Sequence, residues 1–312
     1  MHNKIIESNS VPHPKNSRSL LFKPFQVLVR ALAGRGLGLH RIPLFSRAYE
    51  SLSSNLIQGV TLANVDGQKL YVKADASHIS NSLITMGVWE KRETEIFLSL
   101  IKPHMTVLDV GAHVGYYTLL AAKRVAQVYA FEPDPESFEL MTRSVKVNGY
   151  TNVKCFPAAV TNKTGRANFH IDSEAWGNSL SSENVSSPLR QLDVETVCLD
   201  ELYAAGSLGD RIDLLKIDVQ GAEELVLNGA ERILTKCRPI ILIEVEPQRL
   251  RNMGTDPADL LKSLERNYGY ELRAIEDSAQ SRLIDDIIEI AERESVINVV
   301  ATPPPSHLNR SM

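Results

Sequence analysis

Cysteine is scarce in this chain of 312 residues, and Cys155, Cys198 and Cys237 lie far apart. An odd number of cysteines cannot all pair, and no Cys-x-x-Cys run or histidine cluster accompanies them. The sequence therefore shows neither a disulfide framework nor the ligand spacing of a zinc site, and we predict no metal site. Scattered, reduced thiols are typical of a reducing compartment, so we expect a cytoplasmic protein.

Long hydrophobic runs are also absent, because no apolar stretch reaches the roughly 18 residues that a membrane-spanning helix needs. The start of the chain does not have the pattern of a signal peptide, since residues 8–18 are mostly polar and Lys23 and Pro24 interrupt the apolar stretch that follows. The apolar content of 43% and the charged content of 23% are ordinary for a globular protein. These values exclude a disordered chain.

Acidic residues outnumber basic residues over most of the chain. Residues 1–50 hold eight Lys or Arg against Glu7 and Glu50, whereas the remainder carries 26 against 36 acidic residues. Residues 51–312 are therefore acidic overall and lack the row of basic residues that nucleic-acid binding requires, so we expect no nucleic-acid partner. The basic beginning is a candidate for contact with an anionic surface.

Within that basic segment, residues 24–34 predict a short amphipathic helix, with Pro24 in its first turn and Gly34 at its stop. Residues 20–48 are thus a candidate for peripheral membrane contact. The alternatives are a helix that packs on its own domain and a transit peptide. We predict that residues 1–57 form a basic, partly helical extension.

The rest of the chain predicts an α/β fold. A β-hairpin over 60–75 is expected around Asp66-Gly67, and a helix over 89–101 follows. Strands and helices then alternate, which implies a doubly wound, mostly parallel sheet. The expected strands are 105–110, 126–131, 152–160, 212–217, 239–245, 270–275 and 296–301; the expected helices between them are 115–124, 135–147 and 221–228.

One stretch breaks that alternation, since residues 162–200 are polar and rich in Ser, Asn and Gly. We expect short strands and loops inserted over one face. The predicted domain covers residues 58–302, and residues 303–312, with consecutive prolines, are expected to be a disordered tail.

The most informative motif runs from Val107 to Gly115, where an apolar strand enters a glycine turn that opens a helix. Such a turn lets the backbone approach a bound cofactor closely. A dinucleotide fingerprint needs Gly at the first, third and sixth positions, but here they carry Gly111, His113 and Tyr116. The spacing therefore favours a cofactor without a pyrophosphate.

Two acids indicate which cofactor this is. Asp109 precedes the turn and is a candidate for binding an ammonium, and Glu132 ends the next strand, where a carboxylate can bind both hydroxyls of a ribose. An adenosine with an amino-acid tail describes S-adenosylmethionine. The candidate cofactor-binding residues are Asp109, Gly111, Ala112, His113, Gly115, Glu132 and Pro133.

A second motif carries the candidate chemistry. Lys216 and Asp218 stand two apart on an apolar strand, so both project to the same side. Such residues are costly to bury unless they are paired or used, and a structural ion pair is the alternative. Glu223 begins the next helix, where it could also be only a favourable helix-start charge, and Glu244 ends the following strand.

Transfer of a methyl group to an acceptor that carries a proton requires that the acceptor be aligned and its proton removed. Asp218 is the first candidate for the base, with Lys216 orienting it or stabilising developing charge. Glu244 and Glu223 follow as bases or anchors. The alternatives are His113 as the base and a divalent-ion site formed by Asp218, Glu244 and Glu246.

With these residues, the sequence resembles the FkbM-type S-adenosylmethionine-dependent methyltransferases over roughly residues 58–301. The specific signature is Lys216-Ile217-Asp218-Val219-Gln220-Gly221-Ala222-Glu223. The resemblance also includes Trp89-Glu90, the glycine motif from Asp109 to Thr118, Phe131-Glu132-Pro133, Asn148, Asn178-Ser179-Leu180, Glu244 and Asn298-Val299-Val300-Ala301.

The resemblance implies a seven-stranded Rossmann-like sheet whose last strand is antiparallel, and O-methylation of hydroxyls on small molecules, sugars or glycolipids. This chain departs from the family at two positions, with His113 where Asn is common and Gln220 where Glu is frequent. Gln220 cannot act as an acid or a base.

Other functions fit parts of the pattern. A nucleotide-dependent oxidoreductase would have the same strand, turn and helix, but this chain has Tyr116 where the third glycine of the dinucleotide fingerprint is required. A nucleic-acid or protein methyltransferase would share the chemistry, but the chain has no Asn-Pro-Pro-Tyr run. A non-catalytic scaffold that retains the fold is the remaining alternative.

Overall fold

The computed structural model describes residues 59–74, 78–173, 177–275 and 283–304. The chain divides into two compact units, Met1–Trp89 and Glu90–Met312. The helix predicted over 24–34, the basic segment 20–48 and most of the predicted tail lie outside the described residues. Among the helices that are described, none is long and apolar enough to span a bilayer.

The first unit contains the predicted hairpin. Strands β1 (Gly59–Val65) and β2 (Gln68–Ala74) pair antiparallel, and helix α1 (His78–Thr85) follows. Asp66 and Gly67 form the turn with φ values of 50° and 81°. Positive φ at both central residues gives a turn whose twist matches that of the strands, so the prediction of a hairpin there is confirmed.

The second unit alternates strands and helices, beginning with helix α2 (Lys91–Leu100). Its strands are β3 (Thr106–Val110), β4 (Gln127–Phe131), β5 (Val153–Phe156), β6 (Ala158–Val160), β7 (Gly165–Asp172), β8 (Pro188–Val197), β9 (Leu214–Ile217), β10 (Ile240–Val245), β11 (Glu271–Ala274) and β12 (Ile297–Thr302). Its further helices are α3 (Tyr116–Ala122), α4 (Pro135–Val147), α5 (Leu199–Ala204), α6 (Glu223–Asn228), α7 (Glu231–Lys236), α8 (Pro247–Asn252), α9 (Pro257–Tyr268) and α10 (Ile284–Glu294).

Seven of these strands form one sheet in the order β11-β12-β10-β9-β3-β4-β5. Neighbours from β10 to β5 pair in parallel, whereas β12 pairs antiparallel with both β10 and β11. The expected mostly parallel α/β sheet with an antiparallel last strand is confirmed. Chain order reverses between β9 and β3, and open α/β sheets bind their ligands at the carboxyl ends of the strands at such a switch point.

The central strands of this sheet are apolar and almost inaccessible, as expected for a parallel sheet covered on both faces. Leu108, Leu215 and Ile243 are fully buried in the main hydrophobic core. In the parallel register, Asp109 on β3 lies beside Lys216 on β9. The two polar residues thus occur on adjacent strands within an otherwise apolar layer.

The polar stretch between β6 and β9 is more ordered than predicted. Strands β6, β8 and β7 form a separate three-stranded sheet, in which β7 and β8 are eight and ten residues long. The single strand predicted over 152–160 is wrong, because β5 joins the large sheet and β6 joins the small one on either side of Pro157. Phe169, Ile171 and Val194 form a small core for the inserted sheet.

Candidate active site

The glycine turn at the end of β3 is held against the neighbouring strand β4. The amides of Gly111 and Ala112 both donate to the carbonyl of Phe131, at 3.1 and 3.0 Å. Gly111 and Gly115 have φ values of 80° and 88°, a region that favours glycine. A Cβ at Gly115 would lie 2.7 Å from Cγ of Met141 on α4, so the turn packs closely on that helix.

Asp109, the first acid of the motif, is 1% exposed. Its Oδ2 accepts a hydrogen bond from Thr118 Oγ1 at 2.6 Å, whereas its buried Oδ1 has no hydrogen-bond partner among the described residues. Burial raises the pKa of this carboxyl, and the nearby Lys216 opposes that shift. Oδ1 of Asp109, on the strand that leads into the glycine turn, therefore accepts no hydrogen bond from the described residues.

Glu132, at the tip of β4, connects the glycine turn to the start of helix α4. Its two oxygens accept from the amides of His113 at 2.7 Å and Asp134 at 2.8 Å. Burial raises its pKa to about 8. Each oxygen has a further lone pair beyond these bonds. Pro133 follows it and is partly exposed.

Lys216 and Asp218 form an ion pair at the end of β9, as their spacing predicts. Lys216 Nζ lies 3.2 Å from Asp218 Oδ2 and 4.7 Å from the centre of the Tyr117 ring. Burial alone would lower the pKa of Lys216, but the carboxylates of Asp218 and Asp109 outweigh it and raise that pKa. The lysine side chain is 6% exposed, whereas that of Asp218 is 31% exposed and accessible to a ligand.

Gln220 joins Asp218 to a second carboxylate. Its Nε2 donates to Asp218 Oδ1 at 2.8 Å and to Glu244 Oε2 at 2.9 Å. Burial acts to raise the pKa of Asp218, but Lys216 and the hydrogen bond from Gln220 outweigh it, so the net shift is downward. Burial followed by repulsion from Asp218 and Glu90 raises the pKa of Glu244 well above its usual value.

The glycine turn and the Lys216–Asp218 pair meet directly. A Cβ at Gly111 would lie 1.8 Å from the carbonyl oxygen of Asp218. The amide of Asp218 in turn donates to the carbonyl of Val110 at 3.1 Å. The two motifs, about a hundred residues apart in the sequence, therefore form one site.

Glu90 is a further acid that the sequence analysis did not propose as a site residue. It precedes helix α2 with a φ of 41°, and its carboxylate accepts weakly from Tyr117 Oη at 3.4 Å. Burial and then repulsion from Asp218 raise its pKa to about 7. In the sequence, only the family resemblance draws attention to Glu90, because no sequence spacing relates residue 90 to residue 218.

Glu223 lies behind the site. It is 2% exposed, and its Oε1 accepts from the amides of Val219 and Gly221 at 3.1 and 3.2 Å. Its other oxygen is buried with no partner among the described residues, and burial raises its pKa to about 7. The side chain therefore supports the turn that follows Asp218.

Glu246 is directed elsewhere, because it pairs with Arg249 at 2.6 Å. Across the described ranges, no group of three or more His, Cys, Asp or Glu residues is arranged to hold a metal ion. The amide of His113 binds Glu132, and His113 itself has a φ of 50° within the glycine turn.

The comparisons with known proteins agree with this architecture. The model of the methyltransferase FkbM domain matches residues 109–272, more than half of the chain. The 2-O-methyltransferase NoeI of Sinorhizobium fredii is 31% identical over 195 residues, which cover 56% of this chain and 78% of NoeI. The hexuronic acid methyltransferase AglP of Haloferax volcanii is 25% identical over 156 residues, which cover 50% of this chain and 59% of AglP.

Among solved structures, the methyltransferase FkbM from Methylobacillus flagellatus is 14% identical, with a TM-score of 0.41. The match covers 72% of this chain and 52% of that chain.

Proposed function

The chain belongs to the FkbM family of methyltransferases, and from that premise we propose that it transfers a methyl group from S-adenosylmethionine to a hydroxyl group of a sugar or a related polyol. The oxygen–carbon bond forms as the carbon–sulfur bond breaks, and the hydroxyl proton passes to a carboxylate of the protein. In this arrangement the glycine turn binds the methyl donor. The acceptor binds at the Asp218 cluster, which consists of Asp218, Glu244 and Glu90.

One observation carries this proposal, namely the backbone contact between the glycine turn and Asp218. Only a hydrogen fits between Gly111 and the carbonyl of Asp218. A donor bound on the turn would therefore lie beside the carboxylate of Asp218, which is partly exposed. Holding the two reactants in contact supplies much of the acceleration of a displacement reaction.

The residues of the turn fit S-adenosylmethionine. Glycines with positive φ and no room for a side chain allow the backbone to approach the cofactor. Asp109 has one carboxylate oxygen without a donor, which suits an ammonium, and the free lone pairs of Glu132 suit two ribose hydroxyls. When bound, S-adenosylmethionine supplies a methyl group on a positively charged sulfur.

Asp218 is the base in this proposal. A sugar hydroxyl is about as weak an acid as water, with a pKa of about 15.7, so its proton must be removed as the bond forms. The pKa of Asp218 is lowered by Lys216 and by Gln220, so it is ionised at neutral pH and accepts the proton through its exposed edge. Lys216 orients the carboxylate and limits the build-up of negative charge.

The other acids have supporting roles. Burial raises the pKa of both Glu244 and Glu90, that of Glu90 to about 7, and a carboxyl group that holds its proton can donate a hydrogen bond to an acceptor oxygen. Glu223 acts through the turn, by holding the amides of Val219 and Gly221. We therefore propose Glu223 as a positioning residue, and His113 as part of the cofactor turn.

The acceptor class is proposed from the chemistry of the cluster and from two relatives. Several carboxyl groups close together can bind several hydroxyls at once, which suits a polyol. NoeI is described as a 2-O-methyltransferase and AglP as a hexuronic acid methyltransferase. A free or lipid-linked sugar is therefore the first acceptor to test.

The test uses the full chain with methyl-labelled S-adenosylmethionine and a panel of sugars, glycolipids and small polyols, and the products are separated and identified. We expect label on a hydroxyl oxygen of at least one acceptor. Asp218→Asn keeps the size of the side chain and should lower turnover at least about a hundredfold, the usual contribution of a general base, with cofactor affinity nearly unchanged.

The matched control is Asp193→Asn, which changes an exposed aspartate paired with Arg166 on the inserted sheet. It should retain wild-type turnover. Wild-type turnover in Asp218→Asn would remove this residue from the mechanism, and label found only on nitrogen or in nucleic acid would refute the proposed acceptor.

A further inference from the structure

The connection between β7 and β8 of the inserted sheet contacts the candidate active site at the backbone carbonyl of Gln220. Ser179 Oγ and Asn184 Nδ2 both donate to the backbone oxygen of Gln220, each at 2.9 Å. Ser179 is 0% exposed and Asn184 is 5% exposed, so both donors are buried. The donors come from the connection between β7 and β8, far from Gln220 in the sequence.

These two bonds support a strained turn. Gln220 has a φ of 56°, a left-handed conformation that costs a residue other than glycine about 1–2 kcal/mol. Gly221 follows with a φ of 106°, and a Cβ there would lie 2.4 Å from Asn184 Nδ2. A buried carbonyl without a donor would add about 1–3 kcal/mol. The two donors therefore stabilise a conformation that the turn alone would not favour.

Asn184 also connects the insert to the helix that follows the strand carrying Glu244. Its Nδ2 donates to the carbonyl of Arg249 at 3.1 Å, and Arg249 Nη1 donates to the carbonyl of Asn184 at 3.1 Å. Arg249 lies on α8, which directly follows β10. The insert thus connects the segments after β9 and β10. Asp218 directly follows β9, and Glu244 lies near the end of β10.

We propose that Ser179 and Asn184 are positioning residues for methyl transfer: by holding the Gln220 carbonyl they direct the Gln220 amide at the carboxylates of Asp218 and Glu244. This inference rests on the proposed function for its catalytic meaning. The side-chain amide of Gln220 donates to both carboxylates through Nε2. A rotation of the turn therefore weakens both hydrogen bonds together.

The consequence is a change in the ionisation of Asp218. A hydrogen bond donated to a carboxylate favours its charged form, so weakening the bond from Gln220 raises the pKa of Asp218. A base that must be ionised then works only at higher pH. Turnover should therefore begin to rise at a higher pH in a variant whose turn has moved.

The test measures the titration of Asp218 by carbon-13 NMR, with the side-chain carboxyl carbons of the protein labelled. The signal that is missing in Asp218→Asn is assigned to Asp218. Ser179→Ala removes the hydroxyl donor and should raise the titration midpoint by about 0.5–1 pH unit, part of the effect of a hydrogen bond to a charged group. Gln220→Ala gives the full effect, and Ser179→Thr, which keeps the hydroxyl, should restore the wild-type midpoint.

Thr196→Val is the matched control, because Thr196 Oγ1 donates to the Lys163 carbonyl at 2.9 Å within the inserted sheet and does not contact the turn. It should leave the midpoint unchanged. Asn184→Leu is a second variant that is similar in size, removes the side-chain donor without adding a charge and should raise the midpoint as well.

An unchanged midpoint in both Ser179→Ala and Asn184→Leu would overturn the proposal, whether or not Gln220→Ala shifts it. An equal shift in Thr196→Val would overturn it too, because the effect would then be general loosening. The NMR titration needs neither acceptor nor turnover, so a chain that fails to bind S-adenosylmethionine refutes the proposed function separately. Where a labelled acceptor is methylated, the lower limb of the pH–rate profile should move with the NMR midpoint.

Discussion

Substitution of Gly111 by alanine tests the contact between the glycine turn and Asp218. The added Cβ would lie 1.8 Å from the carbonyl oxygen of Asp218 and 2.8 Å from its carbonyl carbon. Both are backbone atoms, so no rotation of a side chain can relieve the overlap. The ends of β3 and β9 would have to separate.

The magnitude follows from two costs. Alanine at a φ of 80° is disfavoured by about 1–2 kcal/mol, and forcing extra volume into a packed position costs about 1–3 kcal/mol more. Gly149→Ala separates the two, because Gly149 has a φ of 72° with nothing within 4 Å of the added Cβ. The Gly149 variant should show only the first cost.

Urea and thermal unfolding of both variants measure the difference. Gly111→Ala should lose about 1–3 kcal/mol more than Gly149→Ala, with a Tm lower by about 2–4 °C for each kcal/mol in a chain of this size. Calorimetric titration should show S-adenosylmethionine binding at least about tenfold weaker in Gly111→Ala and unchanged in Gly149→Ala. Equal unfolding free energies together with wild-type affinity in Gly111→Ala would refute the close contact.

Two further predictions concern the acids and the lysine. The folded pKa of Glu223 is raised from 4.5 to about 7, so the folded chain binds a proton more tightly than the unfolded chain over that interval and loses stability as pH rises through it. Glu223→Gln should remove up to about 3 kcal/mol of that pH dependence, measured by urea unfolding at pH 5 and 7.5, and parallel curves for the two proteins would contradict it. Lys216→Met should lower the unfolding free energy by about 2–3 kcal/mol, since it leaves a partly buried carboxylate without its partner. The double variant Lys216→Met with Asp218→Asn should lose at least about 1 kcal/mol less than the sum of the single losses, whereas simple additivity would mean that the pair is not coupled.

The sequence predicts those elements whose ends are chemically marked. Helix α4 has the predicted bounds, because Asp134 accepts from the amide of Ser137 at its start, Pro135 occupies the first turn, and Gly149 with a φ of 72° follows its end. The predicted positions of the central strands along the chain are likewise marked by apolar runs that are buried on both faces of the sheet.

The inserted sheet is less predictable because one of its faces is exposed. The first half of β8 is mostly exposed, so its composition resembles that of a loop. The continuous run over 152–160 hides the point at which the chain leaves one sheet for another, since Pro157 is tolerated at the start of an edge strand. Helices α9 and α10 were not predicted, although both have buried apolar residues at helical spacing.

Within the candidate site, the sequence indicates which residues come together but not the direction of each side chain. The pairing of Lys216 with Asp218 follows from a spacing of two on a strand. The orientation of Glu223 toward backbone amides and the reach of Gln220 to two carboxylates depend on a turn that contacts of residues 179 and 184 determine. Such long-range contacts leave no local pattern.

Calorimetric titration of the wild-type chain with S-adenosylmethionine, and separately with NAD, tests the assignment of the glycine turn most directly. We expect saturable one-to-one binding of S-adenosylmethionine and no binding of NAD at the same concentrations. Absence of any S-adenosylmethionine binding, or tighter binding of NAD, would contradict the proposed methyl-donor site.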